Sequence, residues 1–413
     1  MPLSRAAAAL LLTLPLASRA GVWSGTLESR VQFDDLFDDG NYAEQWLTLD
    51  HRDRQTQRTF HLLANYGLST NESWMKLHSA YLEQPLPGRD LKLRAGRFDR
   101  WDSAGAYTLD GVQLDWERQT ERWTFYTGAP RRQTLYFIPG SEEEVNEPQA
   151  DFLAGAFLSR AQTQGRWGLG LRYYGAGATA WKLDGQYSRR WPRGEEAIRL
   201  DAALTLALDD STLESFDLQA SMPLEAQAQL VLRSRRYDPP EKAVTFRDRY
   251  YGYYAHGWQT VIEAGYDASA PNHLGWSAYL RSIQRETGLD GTGADLTLHW
   301  RLADGSTLEG HAEWLQGGGE AAGGLFLGHQ RTLNSRLLLN LDAALRRERH
   351  DRYGDRTIVA AEVRLQWMWR RDLHLDARLE LAHADDEAGG YDQIRTSLNL
   401  IYHLPARGME DYR

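Results

Sequence analysis

Apolar and polar residues alternate with a period of two along most of this 413-residue chain. The pattern is clearest over residues 359–369, where every second residue is apolar, and it resumes over residues 373–382 after a short polar break. A period of two predicts β-strands that have one apolar face and one polar face. Each of these segments is therefore expected to be a strand that separates two environments.

Similar segments recur between Val22 and Leu404, and we count about 22 of them, within a range of 18 to 22. Connections after even-numbered segments are short, as at 85–88 and 303–306, whereas most connections after odd-numbered segments are longer, the longest being 129–150. This alternation is typical of an outer-membrane barrel whose two termini lie in the periplasm. The predicted fold class is all-β: a transmembrane, antiparallel, up-and-down β-barrel over residues 21–404, with no plug domain.

The two ends of the chain carry signals of their own. Residues 1–20 combine a basic residue, a short apolar run, and Ser18 and Ala20 at the positions that a signal peptidase reads, so a secretory signal peptide cleaved after Ala20 is expected. Export and the barrel pattern together place the protein in the outer membrane of a Gram-negative bacterium. Residues 405–413 follow the last segment and are expected to form a C-terminal periplasmic extension.

Composition excludes several classes of protein. The 15 tryptophans, 20 tyrosines and 37 glycines favour an all-β chain. The absence of cysteine excludes disulfides and covalent attachment of c-type haem. A net charge of −10 without a continuous basic stripe argues against nucleic-acid binding. No enzyme motif is present, and neither a cofactor nor catalysis is expected.

If the apolar faces contact lipid, the polar faces line the lumen. The shortest register at the 303–306 turn places His299 opposite Glu309 and Arg301 opposite Thr307. The same reasoning at the turn near residue 371 places Arg370 opposite His374 and Arg364 opposite Glu380. The lumen-facing candidates are Asp295, His299, Arg301, Glu309, His311, Glu362, Arg364, His374, Arg378 and Glu380.

A metal site is one interpretation of His299, Glu309, His311 and Glu313, since imidazole and carboxylate are common metal ligands. No compact ligand motif accompanies these residues, and lumenal walls are rich in such groups. We therefore interpret them as a ladder of charged pairs across the wall and predict no metal site.

The longest connection contains an acidic run, and its glutamates are the candidates for a constriction loop: Glu142, Glu143, Glu144 and Glu147. If this loop folds inward, it opposes the arginines near 233–236 and 346–352 and creates a transverse field in a pore. If it stays outside, it is solvated or binds divalent cations. We favour the solvated loop.

Most tryptophans fall near segment ends, which predicts interfacial girdles. An inward aromatic stripe for a saccharide channel is the less favoured alternative. The tryptophans concerned are Trp23, Trp46, Trp116, Trp167, Trp181, Trp300, Trp314, Trp367 and Trp369.

One local stretch adds a resemblance. The sequence Leu-Lys-Leu-Arg-Ala-Gly-Arg at 91–97, followed by Leu-Asp-Gly-Val at 109–112, resembles the strand, Gly-Arg, loop, Asp-Gly pattern of Gram-negative porin-type barrels. The resemblance implies passive transport across the outer membrane, with membrane lipid, lipopolysaccharide and small solutes as partners. It names no substrate.

Barrel size leaves two functions open. A 22-stranded wall is roughly 40 Å across, so something must narrow its lumen. The first function is a porin-like channel for small solutes or ions. The alternative is a sheath, similar to the barrels of porin–cytochrome conduits, around a separately encoded partner such as a periplasmic multihaem cytochrome. A count of 16–18 strands would favour the channel, and 22 or more would favour the sheath.

Overall fold

The structure, a computed structural model, is described for most of the chain outside its ends and some connections. The described residues are 21–36, 41–70, 72–86, 88, 90–102, 105–132, 152–175, 180–193, 196–225, 227–237, 258–269, 273–285, 290–317, 320–350, 354–386 and 389–408. Within them, no helix is long and apolar enough to cross a membrane. The expected signal peptide and the acidic run at 142–147 lie outside the described residues.

The described chain consists of 22 strands, which confirms the count expected from the alternating pattern. In chain order they are β1 (Gly21–Asp34), β2 (Tyr42–Asp53), β3 (Thr59–Ser69), β4 (Ser73–Leu86), β5 (Leu91–Asp102), β6 (Gly105–Arg118), β7 (Glu121–Arg132), β8 (Phe152–Gln162), β9 (Gly165–Gly175), β10 (Ala180–Arg193), β11 (Glu196–Ala207), β12 (Thr212–Glu225), β13 (Ala228–Tyr237), β14 (Gln259–Ser269), β15 (Leu274–Arg285), β16 (Gly291–Arg301), β17 (Thr307–Gly317), β18 (Glu320–Asn334), β19 (Leu337–His350), β20 (Gly354–Arg370), β21 (Leu373–Asp386) and β22 (Tyr391–Gly408).

The strands form one closed sheet. Each strand pairs antiparallel with its neighbours in the chain, and β1 pairs with β22 from Val22 opposite Gly408 to Asp34 opposite Arg395. Closure removes the free sheet edges that an open sheet presents. The last strand continues to Gly408, so residues 405–408 belong to the sheet rather than to the expected extension.

The outer face carries the apolar half of the alternation. Leu280 is 69% exposed, and Leu327 and Ile262 are exposed at comparable positions on other strands. Apolar side chains that alternate with inward polar ones around a closed barrel form a lipid-facing surface. On the same face Trp367 and Trp369 stack with ring centroids 5.5 Å apart, at the end of β20 where a girdle is expected.

The two ends of the barrel differ in their connections. We call the end that holds Gly21, Gly408 and the connections after even-numbered strands the turn end, and the opposite one the loop end. The strands that flank the two longest connections, β7 with β8 and β13 with β14, have the flanking ends at the loop end, as expected. The β5–β6 and β17–β18 connections at that end span two residues each, shorter than predicted, because the strands on either side extend further.

The neighbouring strands β4 and β5 are paired along only part of their length. The β4–β5 pairing runs from Leu86 opposite Leu91 to Ala80 opposite Arg97 and stops there, although both strands continue toward the loop end. At that point Gly96 has a φ of 124°, and the Arg97 guanidinium donates to the Leu77 carbonyl oxygen at 2.6 Å. We call this place, between 73–79 of β4 and 98–102 of β5, the β4–β5 seam.

Candidate pore wall

Charged side chains pair with one another on the inward face of the barrel. Because side chains alternate along a strand, each strand that turns leucine or tryptophan toward lipid turns its intervening residues toward the lumen. Arginines and carboxylates from adjacent strands then meet side by side. Such cross-strand pairs hold the wall and leave few isolated charges.

A cluster of buried ion pairs lies where the barrel closes. Arg395 of β22 donates to Asp34 of β1 at 2.8 Å and to Glu380 of β21 at 3.2 Å. Gln393 donates to both Asp34 oxygens at 2.9 Å. Asp34 and Glu380 are almost fully buried. The first, last and penultimate strands are thus joined by one guanidinium.

The β20–β21 hairpin has a different register from the one expected. Arg364 lies opposite Arg378 rather than Glu380, and Met368 rather than Arg370 lies opposite His374. The shift amounts to two residues. The two-residue turn at 371–372 places Arg370 opposite Leu373 and supplies the first, and a bulge between Met368 and Arg370 supplies the second.

The shifted register still separates the like charges. Arg364 turns diagonally and donates to Asp376 at 3.0 Å, and Arg378 lies 3.5 Å from Glu362. The two arginines that face each other are therefore each directed to a carboxylate.

The β16–β17 hairpin has the predicted register, with His299 opposite Glu309 and Arg301 opposite Thr307. Arg281 of β15 reaches across to two carboxylates, at 3.3 Å from Asp295 and 2.8 Å from Glu313.

These groups do not gather into a metal centre. The Nδ1 atom of His311 lies 2.7 Å from the Thr297 hydroxyl, and the Glu313 carboxylate is bonded to Arg281. No group of three or more His, Asp or Glu side chains placed to hold a metal is found within the described ranges.

A buried ion pair between β9 and β10 was not predicted from the sequence. Arg172 donates to both oxygens of Asp184 at 2.5 and 2.6 Å, and Asp184 also accepts from Thr205 at 2.9 Å. Both side chains are nearly inaccessible. Leu171 and Trp181 on the same two strands are exposed on the outer face. Arg172 and Asp184 occupy alternating positions relative to them, so strand alternation would have assigned both to the inward face.

Among the described residues, arginines of both arginine clusters lie beside a carboxylate. Arg233 and Arg235 lie 3.5 and 3.8 Å from Glu263. Arg347 and Arg349 lie 3.3 and 3.0 Å from Asp355. Arg347 and Arg349 share the outward face of Leu345, so these two described arginines do not belong to the lumenal wall.

The inward face also carries buried apolar clusters, which alternation alone did not predict. Three of them lie toward the loop end: Phe98, Leu109, Tyr126 and Leu153; Val261, Ile283, Leu315 and Ala322; and Phe326, Ala344, Ile358, Ala360, Ala382 and Ala384. The lumen is therefore not polar throughout. These apolar residues are buried on the loop-end half of the inward face, whereas His299 and Arg301 at the turn end are exposed.

Some aromatic rings also point inward. Trp46 lies opposite Glu28, donates to Glu44 at 2.8 Å and stacks on His78 with ring centroids 4.7 Å apart. Its assignment to a girdle was therefore wrong. Trp74 is buried on the same face, where its ring occupies the space that a side chain on Gly67 would need.

The known proteins that this chain is similar to are found by structure. No protein-family model and no curated protein matches the sequence. A mutant of the ferric enterobactin receptor PfeA from Pseudomonas aeruginosa is 11% identical with a TM-score of 0.61, covering 92% of this chain and 80% of its own.

Smaller TM-scores are found for two further structures. OccK2 (OpdF) from Pseudomonas aeruginosa, in complex with glucuronate, is 11% identical with a TM-score of 0.42, covering 93% of this chain and 98% of its own. Acinetobacter baumannii OccAB4 is 10% identical with a TM-score of 0.43, covering 94% and 99%. At these identities the comparison with PfeA shows the fold, a closed antiparallel barrel, and nothing more specific.

Proposed function

We propose that this protein is an outer-membrane, porin-like channel for the passive passage of small polar solutes or ions. The observation that carries the proposal is a closed barrel with an apolar outer face and, at its turn end, exposed inward polar groups such as His299 and Arg301. Such a wall suits polar solutes in water, because its ion pairs are already satisfied and do not trap a single counter-charge.

The distribution of charge indicates weak discrimination by sign. Arginines and carboxylates alternate around the wall, as in the Arg364–Asp376 and Arg281–Glu313 pairs. Arg301 is an exception, since it is exposed and faces Thr307 rather than a carboxylate. We infer that exposed groups of this kind near the turn end tune selectivity. The ten lumen-facing candidates keep a proposed role as wall residues.

The sheath function has one observation in its favour, the count of 22 strands. The buried apolar residues of the loop-end half, such as Phe98 and Leu153, point the other way, because they are already covered and offer a protein partner no exposed apolar surface. A haem protein in the lumen has no further support.

The test is conductance in planar bilayers, using purified protein without a partner. Stable, discrete conductance supports the channel. No conductance, or leakage of solutes of several kilodaltons, contradicts it. A stoichiometric haem-staining band in a pull-down from native membranes would favour the sheath instead.

A charge reversal makes the test specific to the lumen. Arg301→Glu is expected to shift ion selectivity toward cations. The matched control is Arg331→Glu, also at the turn end but on the outward face of β18, 3.7 Å from Asp304. Equal shifts in the two variants would contradict the assignment of Arg301 to the pore.

A further inference from the structure

Three side chains of types that can ligate a metal form a row across the last three strands at the turn end of the lumen. Met368 of β20 lies directly opposite His374 of β21. The direct partner of His374 on β22 is Ile401. His403 lies two residues beyond Ile401, on the same inward face, and is therefore the diagonal neighbour of His374. Directly opposed side chains have Cβ atoms about 4.5–5.5 Å apart, and diagonal neighbours remain within reach of long side chains.

The two imidazoles are close enough to share one ion. Their ring centroids are 4.8 Å apart and the ring planes are inclined by 67°. Two imidazoles that bind one ion through nitrogens about 2.0–2.1 Å away, at a near-tetrahedral angle, have centroids about 5 Å apart. The observed separation fits that arrangement.

Neither imidazole is engaged elsewhere by its ring nitrogens in the part of the chain that the structure describes. Other histidines are engaged: His61 contacts Asp50 at 2.7 Å, His78 contacts Asn65 at 3.0 Å and His383 contacts Asp392 at 2.8 Å. The contrast matters because a nitrogen that is hydrogen-bonded to a neighbouring side chain is not available to a metal.

Access and ligand chemistry point to one class of metal. Met368 is 40% exposed, and both imidazoles are half-buried, so an ion can reach them from the turn-end mouth. Imidazoles with a thioether favour copper, since the soft sulfur selects Cu(I) over Zn(II). The nearest turn carboxylate, Asp372, is bonded to Arg370 at 3.1 Å, so it is not counted as a ligand.

We propose that Met368, His374 and His403 bind one copper ion at the turn-end mouth of the lumen. This site differs from the His299–Glu313 group considered from the sequence. It is independent of whether the barrel conducts, so failure of the channel proposal leaves it standing.

The test is copper binding by untagged, purified barrel in detergent. Cu(I) affinity is measured by competition with a chromophoric Cu(I) chelator, and Cu(II) is followed by electron paramagnetic resonance. One Cu(I) per barrel is expected, and His374→Gln and His403→Gln are each expected to weaken it by about tenfold or more, which is about 1.4 kcal/mol or more of binding free energy. Met368→Leu should weaken Cu(I) while leaving Cu(II) binding nearly unchanged.

His299→Gln is the matched control, because His299 is an inward histidine near the same end of the barrel. Unchanged Cu(I) affinity in the His374→Gln, His403→Gln double variant would overturn the proposal, as would an equal loss in the control. The wild-type Cu(II) spectrum gives a check that needs no variant: hyperfine coupling to two imidazole nitrogens is expected, and one or none overturns the site. An unaltered Cu(I) affinity in Met368→Leu overturns the assignment of sulfur.

Discussion

The Asp34–Arg395–Glu380 cluster, where the first and last strands meet, gives the most demanding test of the wall. Replacing Arg395 by methionine keeps the length of the side chain but removes the charge and its hydrogen bonds at 2.8 and 3.2 Å. Two carboxylates that are each about 1% exposed then lose their shared guanidinium. The variant is expected to be less stable because burying charge without a partner is costly.

The size of the effect follows from burial. Removing one partner of a buried ion pair costs about 3–5 kcal/mol. Asp34 keeps its bonds from Gln393 and from the Leu36 amide at 3.1 Å, so we expect a loss near the lower end, about 3 kcal/mol in the free energy of unfolding. Glu380→Gln added to Arg395→Met should recover part of this loss, because a neutral amide replaces a buried charge.

The assay is guanidinium unfolding in lipid vesicles, followed by tryptophan fluorescence and extrapolated linearly to zero denaturant. Arg301→Met serves as control, since Arg301 is exposed opposite Thr307, and should change stability by about 0.5 kcal/mol or less. The reasoning is refuted if Arg395→Met costs no more than the control. It is also refuted if the double variant is less stable than Arg395→Met alone.

Two further predictions concern the outer face and a turn. Leu280→Arg, at the middle of β15 on the lipid side, should cost about 2–4 kcal/mol of folding free energy in the same unfolding assay. Ser277→Arg, on the inward face of the same strand, should cost much less. Equal costs would contradict the assignment of the two faces. In the β16–β17 turn, hydrogen bonds from the Ser306 hydroxyl at 2.6 Å and amide at 3.0 Å hold the pKa of the Asp304 carboxyl below its usual range. Because this pKa is lowered, its contribution to stability is present above the pKa of the unfolded chain and is lost as pH falls through the folded value. Ser306→Ala should raise the Asp304 pKa in a carbon-13 NMR titration, and an unchanged pKa would contradict the proposed cause.

Much of the fold could be predicted because one constraint acts on nearly every residue. A strand between lipid and lumen must alternate, so runs such as 359–369 predict strands and faces without any knowledge of their partners. The register at the 303–306 turn followed from the shortest same-parity pairing. The register at Arg364 did not, because the turn at 371–372 is one residue shorter than same-parity pairing assumes and the bulge beyond it is a local irregularity that period-two reasoning does not contain.

The wall was harder to predict than the strands. Parity assigns Arg172 and Asp184 to the inward face, but their pairing depends on adjacent strands and on side-chain reach. The inward apolar clusters contradict the simple rule that the inner face is polar, since residues such as Phe98 and Leu153 carry the wrong polarity for their face. The Met368, His374 and His403 row depends on that same bulge and on three separate strands, so no local motif reveals it.

The β4–β5 seam changes how the closure of the barrel should be understood. A closed barrel is usually protected from adding foreign strands because every backbone group already has a neighbour. Here the backbone pairing of β4 with β5 stops at Ala80 and Arg97. The loop-end parts of these two strands are therefore two partial sheet edges within the wall. The Arg97 side chain, held by Asp110 at 2.5 and 2.7 Å while it donates to Leu77, closes the foot of this slit. One guanidinium therefore connects β4, β5 and β6 at the point where main-chain pairing between β4 and β5 stops.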